Sequence, residues 1–145
     1  MDNHMGKQGI VSVFLGVVPG KEKFANYLRE AYSEGSPMIA ARCSLWDDLG
    51  VAWLDHDSQD AHYQGDIPVL LDVFLSNPIS YLDSFRTRLV ESCASLGVDK
   101  VNAGIFLFDY EYPSTRRFPS PYFQFVGCFT YTISTPKWLE DILNS

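Results

Sequence analysis

Apolar residues run almost without interruption from position 10 to 18, broken only by Ser12 and Gly16. A run that is apolar on both faces predicts a strand covered from both sides, and Pro19-Gly20 ends it. From Lys21 the pattern changes period. Phe24, Tyr27, Leu28, Ala31 and Tyr32 fall at the spacing of one helix face, with Gly35 as the stop. Ser44-x-x-Asp47 resembles a capping box and predicts a short helix through Leu45, Trp46 and Leu49 that closes near Gly50. A short strand is expected at 51–54, then a polar loop or ragged edge strand at 55–66.

Pro68 suits the first turn of another helix carrying Leu70, Leu71, Phe74 and Leu75. After Asn77-Pro78 a second capping signal, Ser80-x-x-Asp83, precedes a longer helix with Leu82, Phe85, Leu89, Cys93 and Leu96 on one side, closed by Gly97. Two β-type runs follow, at 101–112 and 122–133. In the second, Phe123, Phe125, Phe129, Tyr131 and Ile133 alternate with polar positions, which predicts one buried and one partly wet face. The stretch 113–121 between them is expected to be a long hairpin loop. Thr135-Pro136 starts a short terminal helix through Trp138, Leu139 and Ile142. The order of elements predicts an α+β fold, an antiparallel β-sheet with helices packed against it.

A length of 145 residues and 46% hydrophobic content suit one domain, with residues 1–9 as a flexible tail and 10–145 as the folded unit. The formal charge of -7 and a pI near 4.7 disfavour nucleic acid and anionic membranes as partners, because such binding relies on Lys and Arg displacing counterions. The same charge either confers solubility alone or steers the chain toward a basic protein. Cys43, Cys93 and Cys128 are odd in number and form no C-x-x-C pair, so they read as small buried hydrophobes, not as a disulfide framework or zinc site. The start of the chain has no apolar signal region, and no run is long enough to span a bilayer, which predicts a cytoplasmic protein.

The densest polar cluster is Asp55, His56, Asp57, Gln59, Asp60 and His62. Imidazoles among carboxylates are what a metal site needs, yet the spacing fits no familiar motif, and a solvated acidic loop is the plainer reading. No cofactor is expected. The serines and cysteines lie in no nucleophile signature, and there is no phosphate loop. Gly104 and Gly127, each inside a strand pattern, predict a bulge or a close backbone approach. Asp109 and Glu111 are expected to share one strand face, as a general acid and base pair would, or simply as a solvent face. Trp46 and Trp53 flank the acidic cluster, as binding anchors or as core residues.

Several short motifs occur in a telling order. They are Phe14-Leu15-Gly16, Tyr27-Leu28 with Tyr32, Leu54-Asp55-His56-Asp57 with Asp60, and Ser80-Tyr81 with Ser84-Phe85. Phe108-Asp109-Tyr110-Glu111-Tyr112 and Phe125-Val126-Gly127-Cys128-Phe129-Thr130-Tyr131 complete the series. Taken together, residues 11 to 132 resemble the immunity-protein family numbered twenty-two of bacterial polymorphic toxin systems. One departure stands out: Phe14 occupies a place where the family tends to carry tryptophan. The resemblance implies a non-enzymatic protein, a monomer or homodimer, that binds and neutralises a cognate toxin. Toxins of this kind include nucleases, whose basic clefts an acidic protein can occupy. The expected partner-binding surface is Asp47, Asp48, Trp53, Asp55, Asp57 and Asp60, with acids giving rate and aromatics affinity. Two alternatives stay open, a small metal-dependent enzyme using Asp55, His56, Asp57 and His62, and a housekeeping interaction protein.

Overall fold

The first strand, β1 (Ile10–Gly16), is apolar on both faces because each face meets a different core. In the computed structural model, which describes residues 9–29, 43–51, 58–113, 115 and 117–132, β1 lies inside a four-stranded antiparallel sheet. Its neighbours are β5 (Ala103–Phe108) and β6 (Phe123–Thr130), and β2 (Gln59–Tyr63) pairs with the far side of β5. Val11, Val13 and Leu15 point to one side, while Phe14 between them points to the other.

On the Phe14 side sit α1 (Lys21–Leu28) and α2 (Ser44–Leu49), which contribute Phe24, Tyr27, Leu45, Trp46 and Leu49 to the first core. On the Val13 side, α3 (Leu71–Phe74), a 3-10 turn at Leu82–Ser84 and α4 (Arg86–Leu96) contribute Phe74, Leu82, Phe85, Leu89 and Cys93 to the second. The chain is thus α+β, as expected, with helices covering both faces of the sheet. A two-stranded ribbon, β3 (Val69–Leu70) with β4 (Lys100–Val101), lies beside it.

The two β-type runs at 101–112 and 122–133 are not hairpin partners. β1 lies between β5 and β6, so the connecting stretch crosses from one neighbour of β1 to the other. Within it, Tyr112 and Phe118 are buried against Phe14, with ring centroids 5.6 and 4.6 Å away. The expected single buried face of the last strand is also corrected. A bulge shifts the β1–β6 register between Val13 and Phe14. The extra residue inverts the alternation, so Phe123 and Phe125 join the first core, whereas Phe129 and Tyr131 join the second. Gly127 sits at the bulge with φ +143, a conformation essentially reserved for glycine. Gly104 is a close approach, since a Cβ there would lie 2.9 to 3.0 Å from Leu15 and Phe74 side-chain atoms.

Asn102 divides β4 from β5 and is fully buried. Its Oδ1 accepts the Val18 N–H at 2.8 Å, and its Nδ2 donates to the carbonyls of Val18 and Gly65 at 2.8 and 3.0 Å. The amide thus takes over strand-like pairing where β1 ends.

Neither capping signal acts as expected. Cys43, not Ser44, is the N-cap of α2, and Phe85 is that of α4, in neither case with a side-chain cap. Gly50 and Gly97 do close their helices in the left-handed conformation, at φ 78 and 76. After Pro68 the chain makes the short β3 before α3, so that helix starts later than the sequence pattern suggested. No disulfide joins the three cysteines; Cys43 and Cys93 are buried and Cys128 is partly so. Burial pushes the Cys93 thiol up to about 11. Positions 1–8, the end of the first helical stripe, residues 52–57 and the terminal helix expected from Thr135 lie outside the described residues.

Candidate functional site

Strand β2 forms one edge of the sheet, and its alternation sorts its side chains. Ala61 and Tyr63 pack on the first core, which leaves Asp60 and His62 on the opposite side. Asp60 Oδ2 accepts the backbone N–H of Ser80 at 2.9 Å, fixing the loop before α4 to the sheet edge. His62 Nε2 lies 2.9 Å from Asp60 Oδ1, although the pair lacks hydrogen-bond alignment, and the ring stands edge-on to Phe106.

Next to Ser80, Tyr81 adopts φ 57, and directly after β5, Asp109 adopts φ 60. Among the described residues these are the two non-glycine positions with positive φ. Such residues each cost on the order of 1–3 kcal/mol and persist only where surrounding contacts hold them. The contacts holding Asp109 are explicit. Its Oδ1 accepts the Gly9 N–H at 2.8 Å and the Tyr131 hydroxyl at 2.6 Å, and its own N–H donates to the Ile10 carbonyl. Asp109 and Glu111 therefore do not share a strand face: β5 ends at Phe108, Asp109 turns inward, and Glu111 is exposed. Burial, then the hydrogen bond to the Asp109 carboxylate, pushes the Tyr131 phenol up to about 12.

These elements enclose a groove of about 310 Å³ lined by Ser58, Gln59, Asp60, Ser80, Tyr81, Phe108, Asp109 and Tyr131. Tyr81 and Tyr131 are stacked, with centroids 5.5 Å apart, and Phe108 stands edge-on to both at 5.6 and 5.0 Å. Tyr81 also borders an adjoining cavity of about 320 Å³ that includes Asp83. Among the described residues, no lysine, arginine or histidine lines either space.

Of the residues expected to bind a partner, Asp60 lies in this groove. Asp47 and Asp48 are on α2, which covers the other face of the sheet, so the described structure does not bring them beside Asp60. Asp47 is exposed. Asp48 accepts the Tyr27 hydroxyl at 2.6 Å; burial, and then this bond, raises the Tyr27 phenol above its ordinary range. Trp46 is a core residue. Trp53, Asp55, His56 and Asp57 lie outside the described residues. Among the described residues, no group of three or more His, Cys, Asp or Glu side chains is arranged to hold a metal. Sequence reasoning missed Tyr81 and Tyr131 as groove residues. Their one local signal is the pair of motifs that carry them, Ser80-Tyr81 and Thr130-Tyr131.

The family described as Immunity protein 22 matches residues 11–132, which take in all eight residues of the groove. The chain belongs to the immunity protein 22 family. No curated protein and no solved structure matches it. Membership gives the chain an immunity role, and the immunity protein 22 match extends from β1 past β6, so it covers both cores as well as the groove. Among the described residues, no helix of this immunity protein is long and apolar enough to cross a membrane.

Proposed function

We propose that this protein neutralises a cognate bacterial toxin by binding it in the cytoplasm, with no chemistry of its own, and that the toxin domain is basic, a nuclease being the best fit. The observation that carries the reading is the groove lined by the start of β2, Ser80-Tyr81, the end of β5 and Tyr131, where two carboxylates share the lining with stacked aromatic rings and, among the described residues, with no cation. Aromatic anchors beside acids are what a tight, fast-associating interface uses. The formal charge of -7 supports a basic partner through the same electrostatics. The proposed contact residues are Asp60, Asp57, Asp55 and Trp53, with Asp47 and Asp48 as a second acidic group.

Co-expression with the adjacent open reading frame tests the role: growth should be rescued and the two products should co-purify. Reversing Asp55, Asp57 and Asp60 to lysine should slow association and flatten its salt dependence. Unchanged rate and salt dependence would remove this surface from the interface, and substrate turnover by the purified chain would overturn the non-enzymatic reading.

A further inference from the structure

We propose that the groove between Asp60 and Asp109 is a receptor for a single arginine side chain of the partner protein. The inference rests on the toxin-binding reading for its biological meaning and specifies the chemistry that the site selects. Three features of the groove favour a guanidinium. A planar cation stacks on an aromatic face, and Tyr81, which is 42% exposed, offers one braced by Tyr131 and Phe108. Two carboxylates line the same groove as that platform, and each is already oriented by donors from the chain: Asp60 by the Ser80 N–H, Asp109 by the Gly9 N–H and the Tyr131 hydroxyl. Both of the Asp109 bonds fall on Oδ1, so among the described residues Oδ2 remains available to a fork of N–H donors.

The third feature is the lining itself. Among the described residues it holds no lysine, arginine or histidine; His62, outside the lining, lies 2.9 Å from Asp60 Oδ1, so Asp109 is the carboxylate with the freer oxygen. A volume of about 310 Å³ is at the small end for ligand sites and suits one long side chain better than a cofactor. Arginine is favoured over lysine because an ammonium is a compact, strongly hydrated charge that neither stacks nor forks. The positive-φ backbone at Tyr81 and Asp109 is what turns the ring and the carboxylate toward the same space.

The test uses the full chain and N-acetyl-arginine amide as probe, followed by amide chemical shifts. The lysine derivative and the neutral isostere N-acetyl-citrulline amide serve as comparisons. Saturable shifts centred on Asp60, Tyr81, Asp109 and Tyr131 are expected with arginine, with citrulline binding weaker by about tenfold or more. Asp109→Asn keeps an acceptor for Gly9 and Tyr131 and tolerates the left-handed backbone while removing the charge. Tyr81→Asn removes the ring with the same tolerance. Each folded variant should lose most of the arginine response. Scattered shifts, equal binding of citrulline, preference for lysine, or an unchanged response in both variants would overturn the proposal. Growth rescue in co-expression without an arginine response defeats this inference alone. An arginine response without rescue leaves the site standing and defeats the immunity mechanism.

Discussion

Replacing Asn102 by alanine should remove a large part of the stability of the fold. The side chain makes three hydrogen bonds from a fully buried position, and the magnitude follows from what each leaves behind. The Val18 N–H, on a residue with no exposure, loses its acceptor, which costs about 1–3 kcal/mol for an unsatisfied buried donor. The Val18 carbonyl loses Nδ2 but keeps the Gly20 N–H at 2.9 Å, so its loss belongs at the low end of the range of about 0.5–1.5 kcal/mol per bond. The Gly65 carbonyl loses a further bond of that kind. The sum is about 2–5 kcal/mol, set against the roughly 5–15 kcal/mol that ordinarily holds a domain together. Urea unfolding followed by tryptophan fluorescence should show the midpoint falling by about 1–2 M at an unchanged m-value. Asn102→Asp, which keeps the acceptor for Val18 but turns a carboxylate on two carbonyl oxygens, should be at least as damaging. A midpoint for Asn102→Ala within about 0.3 M of the parent, at the same m-value, would refute the view that this amide ties the end of β1 to its neighbours.

Gly127→Ala should cost about 1–3 kcal/mol, because φ of +143 is strained for any side chain and the new Cβ would lie 3.0 Å from the Phe129 ring; thermal melting without loss of midpoint would contradict this. Phe14→Trp places a larger ring among Phe118, Phe125 and Tyr112 in a site with no exposure, and overpacking should cost about 1–3 kcal/mol, visible in the same melt. Tyr131 has its folded-state pKa raised from 10.0 to about 12, so the stability linked to it is fully present below pH 10.0 and is lost as pH rises through about 12. Unfolding midpoints of the parent and of Tyr131→Phe, compared across that window, should show a steeper alkaline decline in the parent; parallel curves would show that the phenol is not coupled to folding.

Much of the architecture was legible locally because it depends on local rules. The two-faced hydrophobicity of β1 announced a central strand, the helical stripe from Lys21 announced α1, and Gly50 and Gly97 marked helix ends through their tolerance of positive φ. The two interior strand glycines were correctly flagged as a bulge and a close approach. The capping signals misled because a serine followed by an acid three residues later is a common string, and its hydroxyl bonds the helix only if the backbone enters at the right angle. Cys43 and Tyr81 instead take the N-cap positions of the segments that follow Ser44 and Ser80, with no side-chain cap bond.

The amino-acid order by itself determined the class of the fold, the acidic surface and the family, since periodicity, charge and motif order are properties of neighbours along the chain. Only the tertiary structure decided that β1 lies between β5 and β6, that one extra residue at the bulge sends Phe129 and Tyr131 to the opposite core from Phe123, and that Asp60, Tyr81 and Asp109 meet in one groove. Strand pairing and side-chain register are settled by which surfaces bury together across large sequence separations. A shift of a single residue reverses every side chain on a strand, so these choices leave no local trace.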